Sequence, residues 1–64
     1  HANSILYFEV PDCQAAYEAL KARGVPFDDV PHLVGKTATH EIWMCFCRDP
    51  ERNLIGLAEQ KPIG

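Results

Sequence analysis

Two apolar runs, residues 42–47 and 54–58, are separated by the polar hexapeptide Arg48-Asp49-Pro50-Glu51-Arg52-Asn53, and this restricts the fold more than anything else in the chain. Proline presets the backbone for a reversal, and Asp and Asn side chains bond back onto the main chain of one. The stretch 42–59 therefore predicts a β-hairpin. Met44, Cys45, Phe46 and Cys47 show no strong polar alternation, so the incoming strand is expected to be covered on both faces.

Upstream, residues 4–10 (SILYFEV) read as a strand with Ile5, Tyr7 and Glu9 on one face and Leu6, Phe8 and Val10 on the other. The even face is wholly apolar and is the expected core face. Pro11-Asp12 breaks the strand, and Asp12 suits an N-cap. Cys13, Ala16, Tyr17 and Leu20 then form a helical stripe, with Gly24 placed to end a helix over residues 13–23. Pro26, Pro31 and Gly35 interrupt the stretch after the helix. A short edge strand between Phe27 and Val34 and a turn at Gly35-Lys36 are expected there. Residues 40–47 and 54–58 are the last two strands. The order β, α, β, β, β gives an α+β module with one helix on one face of a small sheet. The opposite face, with Ile5, Tyr7, Leu54, Gly56 and Ala58, is left apolar and bare.

Composition bounds what such a module can do alone. The 64 residues, 47% hydrophobic and 23% charged, make residues 1–64 one globular domain. A chain this short buries roughly 60% of the surface exposed on unfolding, and its core rarely supplies more than about 3–5 kcal/mol without staples. The three cysteines match neither a disulfide framework nor a zinc-ribbon spacing. A partner surface is therefore expected, either a second copy or a second half of the same polypeptide. The start at His1, almost at once inside a strand-like run, suggests a trimmed or partial chain. A net charge of −3 with scattered Lys and Arg argues against a nucleic-acid surface. No apolar run reaches the roughly 18 residues of a membrane span, and the absence of a signal-peptide pattern points to the cytoplasm.

The FEVPD strand end running into the helix, the Arg23-Gly24-Val25 helix end and above all Arg48-Asp49-Pro50-Glu51-Arg52-Asn53-Leu54-Ile55 resemble the glyoxalase/bleomycin-resistance/dioxygenase superfamily, also called vicinal oxygen chelate proteins. The resemblance implies that two βαβββ modules, within one chain or between two, pair into a curved eight-stranded sheet around a cavity. It also implies that metal-dependent relatives take one ligand from the first strand and a glutamate from the last. The corresponding residues are Ile5 and Gly56, so this module carries neither ligand, and a divalent metal would depend on a second half. Arg52 replaces a usual turn glycine, which implies either a different turn or a mildly strained residue.

Three functions are compatible with this: a small-molecule binding module or enzyme with a cavity between paired modules; a metal-dependent lyase, isomerase or dioxygenase with ligands from a second half; and a non-catalytic drug- or metabolite-sequestering protein. The candidate ligand-binding residues are Tyr7, Trp43, Ile5, Gly56 and Glu9. An aromatic with one polar atom suits an apolar cavity that orients a small molecule, although ordinary packing explains Tyr7 and Trp43 as well. Periodicity does not decide which face carries Trp43. His32, His40 and Glu41 are ligand types, but His40 and Glu41 are adjacent on a strand and point to opposite faces. Cys45 and Cys47 share a face and read as small buried hydrophobes.

Overall fold

The computed structural model describes residues 5–63. Its elements are β1 (Leu6–Glu9), α1 (Cys13–Ala22), β2 (His32–Lys36), β3 (His40–Arg48) and β4 (Leu54–Pro62). They form one four-stranded sheet in the order β1-β4-β3-β2. The β3–β4 and β2–β3 pairs are antiparallel, while β1 runs parallel to β4. The α+β class, the βαβββ order and the mostly antiparallel sheet are as the sequence predicts.

Local chemistry explains each boundary. Asp12 takes an extended conformation and accepts the Ala15 amide at 3.0 Å, starting α1. At the other end Gly24 has φ 91, its amide bonds Lys21 O at 3.0 Å and the Val25 amide bonds Leu20 O at 3.1 Å. This is a Schellman closure, which requires a left-handed residue and so favours glycine. Asp49 builds the hairpin turn: its carboxylate accepts the amides of Glu51 and Asn53 at 2.9 and 2.7 Å and the Asn53 side-chain amide at 3.0 Å. Those bonds to Asn53 and Glu51 hold the Asp49 carboxyl below its usual range. Arg52 sits at φ 70, so of the two expectations for this position the strained residue is the one observed.

Helix α1 lies over β3 and β4. Cys13, Tyr17, Cys45 and Leu57 form the buried cluster, with Val10, Ala16, Leu20, Phe27 and Ile55 packed around it. The Tyr17 and Phe27 rings meet edge-on at 4.8 Å, and the buried Cys45 and Cys47 are the small core hydrophobes expected.

The structure departs from the sequence reading at four places. Gly35 and Lys36 lie inside β2 rather than in a turn. The Thr37 side chain accepts the amides of Thr39 and His40 at 3.2 and 3.0 Å and makes the reversal itself, while Gly35 sits at a register shift between Leu33 and Gly35. Phe27 belongs to no strand and makes an isolated bridge to Cys47. β4 runs on to Pro62 because β3 pairs along its whole length, from Arg48–Leu54 to His40–Pro62. Finally, Leu6 and Phe8 are on the helix side but each remains 51% exposed, because the helix covers β3 and β4 and leaves this edge strand bare. Ser4, the first residue of the expected strand, lies outside the described residues.

Candidate functional site

Register decides which residues share a face. Tyr7 pairs with Gly56 and Gly56 with Phe46, and paired residues project to the same side. Tyr7, Gly56, Phe46, Met44 and Ala58 thus occupy the side opposite α1, with Glu9 beside Ala58. Ile5, next to Leu6 on the other side of the backbone, precedes them. Tyr7 is 60% and Ile5 43% exposed, whereas Gly56 is buried beneath its neighbours.

The centre of this face is an aromatic pair laid over a glycine. A Cβ at Gly56 would stand 2.8 and 3.0 Å from Tyr7 Cδ1 and Cε1 and 3.1 Å from Phe46 Cε2, inside the roughly 3.5–4.0 Å of ordinary carbon contact. The two rings meet edge-on, centroids 6.5 Å apart at 77°. The missing side chain therefore makes room for the Tyr7 ring. Neither Ile5 nor Gly56 has a side-chain donor, and the ring occupies the space a glutamate at 56 would use, so these two positions do not fit a metal. Among the described residues no group of three or more His, Cys, Asp and Glu is placed to hold one.

The structure does not bring Trp43 to this face. Trp43 pairs with Leu33 and Glu59, on the side of Cys45 and Leu57, where its Nε1 donates to Glu41 at 3.1 Å and Lys61 Nζ lies 4.8 Å from the ring centroid. His40 and Glu41 point to opposite sides, as adjacent strand residues must. The His32 ring nitrogen Nδ1 contacts Val30 O at 2.8 Å and that of His40 contacts Thr39 Oγ1 at 2.8 Å.

Sequence reasoning named Tyr7, Ile5, Glu9 and Gly56 for this face and missed Phe46 and Met44. The period-2 alternation from Gly56 through the hairpin register was the signal that could have placed them. It also missed what Asp28 and Asp29 do. Asp29 accepts the Phe46 amide at 2.8 Å, and Asp28 takes Arg48 Nε and Nη2 at 3.1 and 2.9 Å. The acidic pair thus ties its loop to the edge of β3 beyond the end of β2.

Two surface hollows among the described residues lie elsewhere. One, about 660 Å³, separates the loop after α1 from the hairpin turn and is lined by Arg23, Pro26, Arg48 and Arg52 among others. Another, about 570 Å³, is an apolar groove on the helix side, bounded by Phe8, Val10, Leu20, Cys47 and Leu57. No helix among the described residues is long and apolar enough to cross a membrane.

One helix on a mixed four-stranded sheet in βαβββ order, with the face opposite the helix uncovered among the described residues, defines an α+β module of the βαβββ type. Residues 1–57 match the Glyoxalase/Bleomycin resistance protein/Dioxygenase superfamily, and the chain belongs to that superfamily. The fold is similar to a member of the superfamily from Sphaerobacter thermophilus, with TM-score 0.75 and 24% identity over 89% of this chain and 44% of that one. It is also similar to a glyoxalase/bleomycin resistance protein/dioxygenase from Alicyclobacillus acidocaldarius, with TM-score 0.67 and 22% identity over 89% of this chain and 46% of that one. The chain thus spans less than half the length of these structures. A comparison with curated proteins finds no match.

Proposed function

We propose that the chain is one half of a cavity-forming assembly that binds a small apolar or aromatic molecule, and that it contributes contact surface rather than metal ligands. The observation that carries this reading is the Tyr7–Phe46 pair over Gly56: an aromatic floor, more than half exposed at Tyr7, at the place where metal-dependent relatives would hold a glutamate. An exposed ring with one hydroxyl stacks on a planar ligand and orients one polar group of it. The second module, from another copy or from further sequence, would close the face that this half leaves open; the 44% and 46% coverage of the two similar structures supports it. Glu9, on the same side and at the end of β1, is the acid nearest this floor along the strand.

The test is a titration of the purified protein with a panel of planar small molecules, followed through amide NMR resonances. Saturable shifts at Tyr7, Phe46 and Gly56, with none on the exposed side of α1 at Glu18, are expected. Saturable shifts confined to the helix-side groove at Phe8, Leu20 and Cys47 would overturn the assignment. Elemental analysis addresses the metal clause, since a tightly bound divalent ion in an assembly made only of this chain contradicts it. Sedimentation at micromolar concentration addresses pairing, where a stable monomer counts against a self-paired assembly.

A further inference from the structure

A second feature lies on the opposite side of the sheet and is independent of ligand and pairing. Cys13 and Cys45, 32 residues apart in sequence, place their sulfur atoms 3.5 Å apart. Cys13 is the first residue of α1 and Cys45 lies in the middle of β3, and both are free and almost fully buried, at 1% and 0% exposure. The pair stands at the contact between helix and sheet, with Leu57 completing the cluster. Cys47 lies two residues further along the strand, toward the apolar groove.

We propose that Cys13 and Cys45 are a latent cross-link site: reaction with a small-molecule disulfide joins them and locks α1 to β3. In this exchange one cysteine thiolate attacks the reagent disulfide, forming a mixed disulfide and releasing one thiol. The second cysteine then attacks the protein sulfur of that adduct and releases the other reagent thiol. Two S–H bonds are lost and one S–S bond forms. The two electrons and two protons leave on the reagent, which departs as two thiols.

Geometry makes the pair selective. The sulfurs need to approach by about 1.5 Å to reach a bond length near 2.05 Å, and the residue that can move is Cys13. It is the first residue of the helix, tied there by one bond from its amide to the Glu59 carboxylate at 2.8 Å that must give for the sulfur to move, whereas Cys45 is fixed by ladders to β4 and, through neighbouring residues, to β2. Opening the first turn of α1 exposes both thiols together. Burial makes the reaction slow in the closed state, since the thiolate is the attacking species. Once formed, the bond closes a loop of about 33 residues in the unfolded chain, which lowers the unfolding equilibrium constant by roughly a hundredfold after allowance for strain. A module whose core is small for its length gains a staple that its cysteine spacing does not reveal.

The experiment exposes the purified protein to oxidised glutathione at about pH 8, followed by intact mass, peptide mapping and urea unfolding. The expected product has no bond between chains, is about 2 Da lighter per chain, is linked between the peptides of Cys13 and Cys45, and unfolds at higher urea with the change reversed by dithiothreitol. Cys47→Ser keeps the link and the shift, and Cys13→Ser loses both. A link involving Cys47, glutathione adducts that never resolve, or an oxidised form that unfolds at lower urea than the reduced one each overturns the proposal.

Discussion

The packing of Tyr7 over Gly56 makes a prediction in which the sign of one substitution depends on another. In the native background, Gly56→Ala places a methyl 2.8 Å from Tyr7 Cδ1 and 3.1 Å from Phe46 Cε2. Tyr7 lies on an edge strand and is 60% exposed, so its ring swings outward rather than straining the backbone. That movement forfeits the edge-on contact with Phe46, worth about 0.5–1.5 kcal/mol. Replacing glycine within a strand returns about 0.5–1 kcal/mol of conformational entropy, so the net cost is expected to be only about 0–1 kcal/mol. In a Tyr7→Ala background the ring is already gone and Phe46 has room to give by a few tenths of an ångström. Gly56→Ala should then stabilise by about 0.5 kcal/mol. The resulting coupling energy is about 1 kcal/mol, well above the scatter of independent sites. Urea unfolding of the native protein, both single variants and the double variant measures it, with unchanged m-values as the control. If Gly56→Ala has the same effect in both backgrounds, within about 0.3 kcal/mol, the ring does not occupy that space and the aromatic floor is wrong.

Other consequences come from single residues. Arg52→Gly should raise stability by about 1 kcal/mol, because φ 70 costs a side-chain-bearing residue about that much and the carbonyl that accepts Arg48 is retained; a fall in the urea midpoint contradicts this. Asp49, whose pKa is depressed by its bonds to Asn53 and Glu51, contributes stability that is complete above its ordinary value of 3.8 and lost as pH falls through the lower folded value. Asp49→Asn should therefore flatten the acid limb of a stability-versus-pH curve, and an unchanged limb speaks against the turn network. Cys45 behaves oppositely, since burial pushes its thiol from 9.0 to about 12. Its contribution is intact below pH 9.0 and declines between there and about 12, at up to about 1.4 kcal/mol per pH unit. Cys45→Ala should shallow that decline.

The parts of the fold set by local chemistry were legible from residues alone. Asp12, Gly24 and Asp49 each act within a few positions of themselves, and each ends or starts an element where the sequence places it. The second strand is an edge strand that overlaps the expected range but runs on through Gly35-Lys36, because its turn depends on one hydroxyl, that of Thr37, while the more conspicuous Gly35 sits at a register shift. The candidate face was half legible. Alternation along β1 put Tyr7 and Glu9 together, but placing Phe46 with them and Trp43 against them requires the β3–β4 register, which no single-strand pattern contains. The Cys13–Cys45 contact was illegible for the same reason: it joins a helix stripe to a strand face whose facing residues only tertiary packing decides.

The edge strand constrains how any second module can meet this one. Leu6 and Phe8 on the helix side are each 51% exposed, and Ile5 and Tyr7 on the other side are 43% and 60% exposed. A partner laid only against the Tyr7 face would leave Leu6 and Phe8 in water beside the groove at Val10 and Leu20. A partner covering only the helix side would leave the aromatic floor bare. If the modules pair as proposed, contact centred on the β1 edge is one arrangement that shields apolar surface on both sides at once, and it also caps the outer backbone of an edge strand; the β2 edge, with Leu33 and Val34 44% and 47% exposed, is the other candidate. Phe8→Asp and Tyr7→Asp should then weaken association by similar factors although their side chains point in opposite directions, as equilibrium sedimentation of each variant would measure. If only one of them matters, the partner meets a face of the sheet and not its edge.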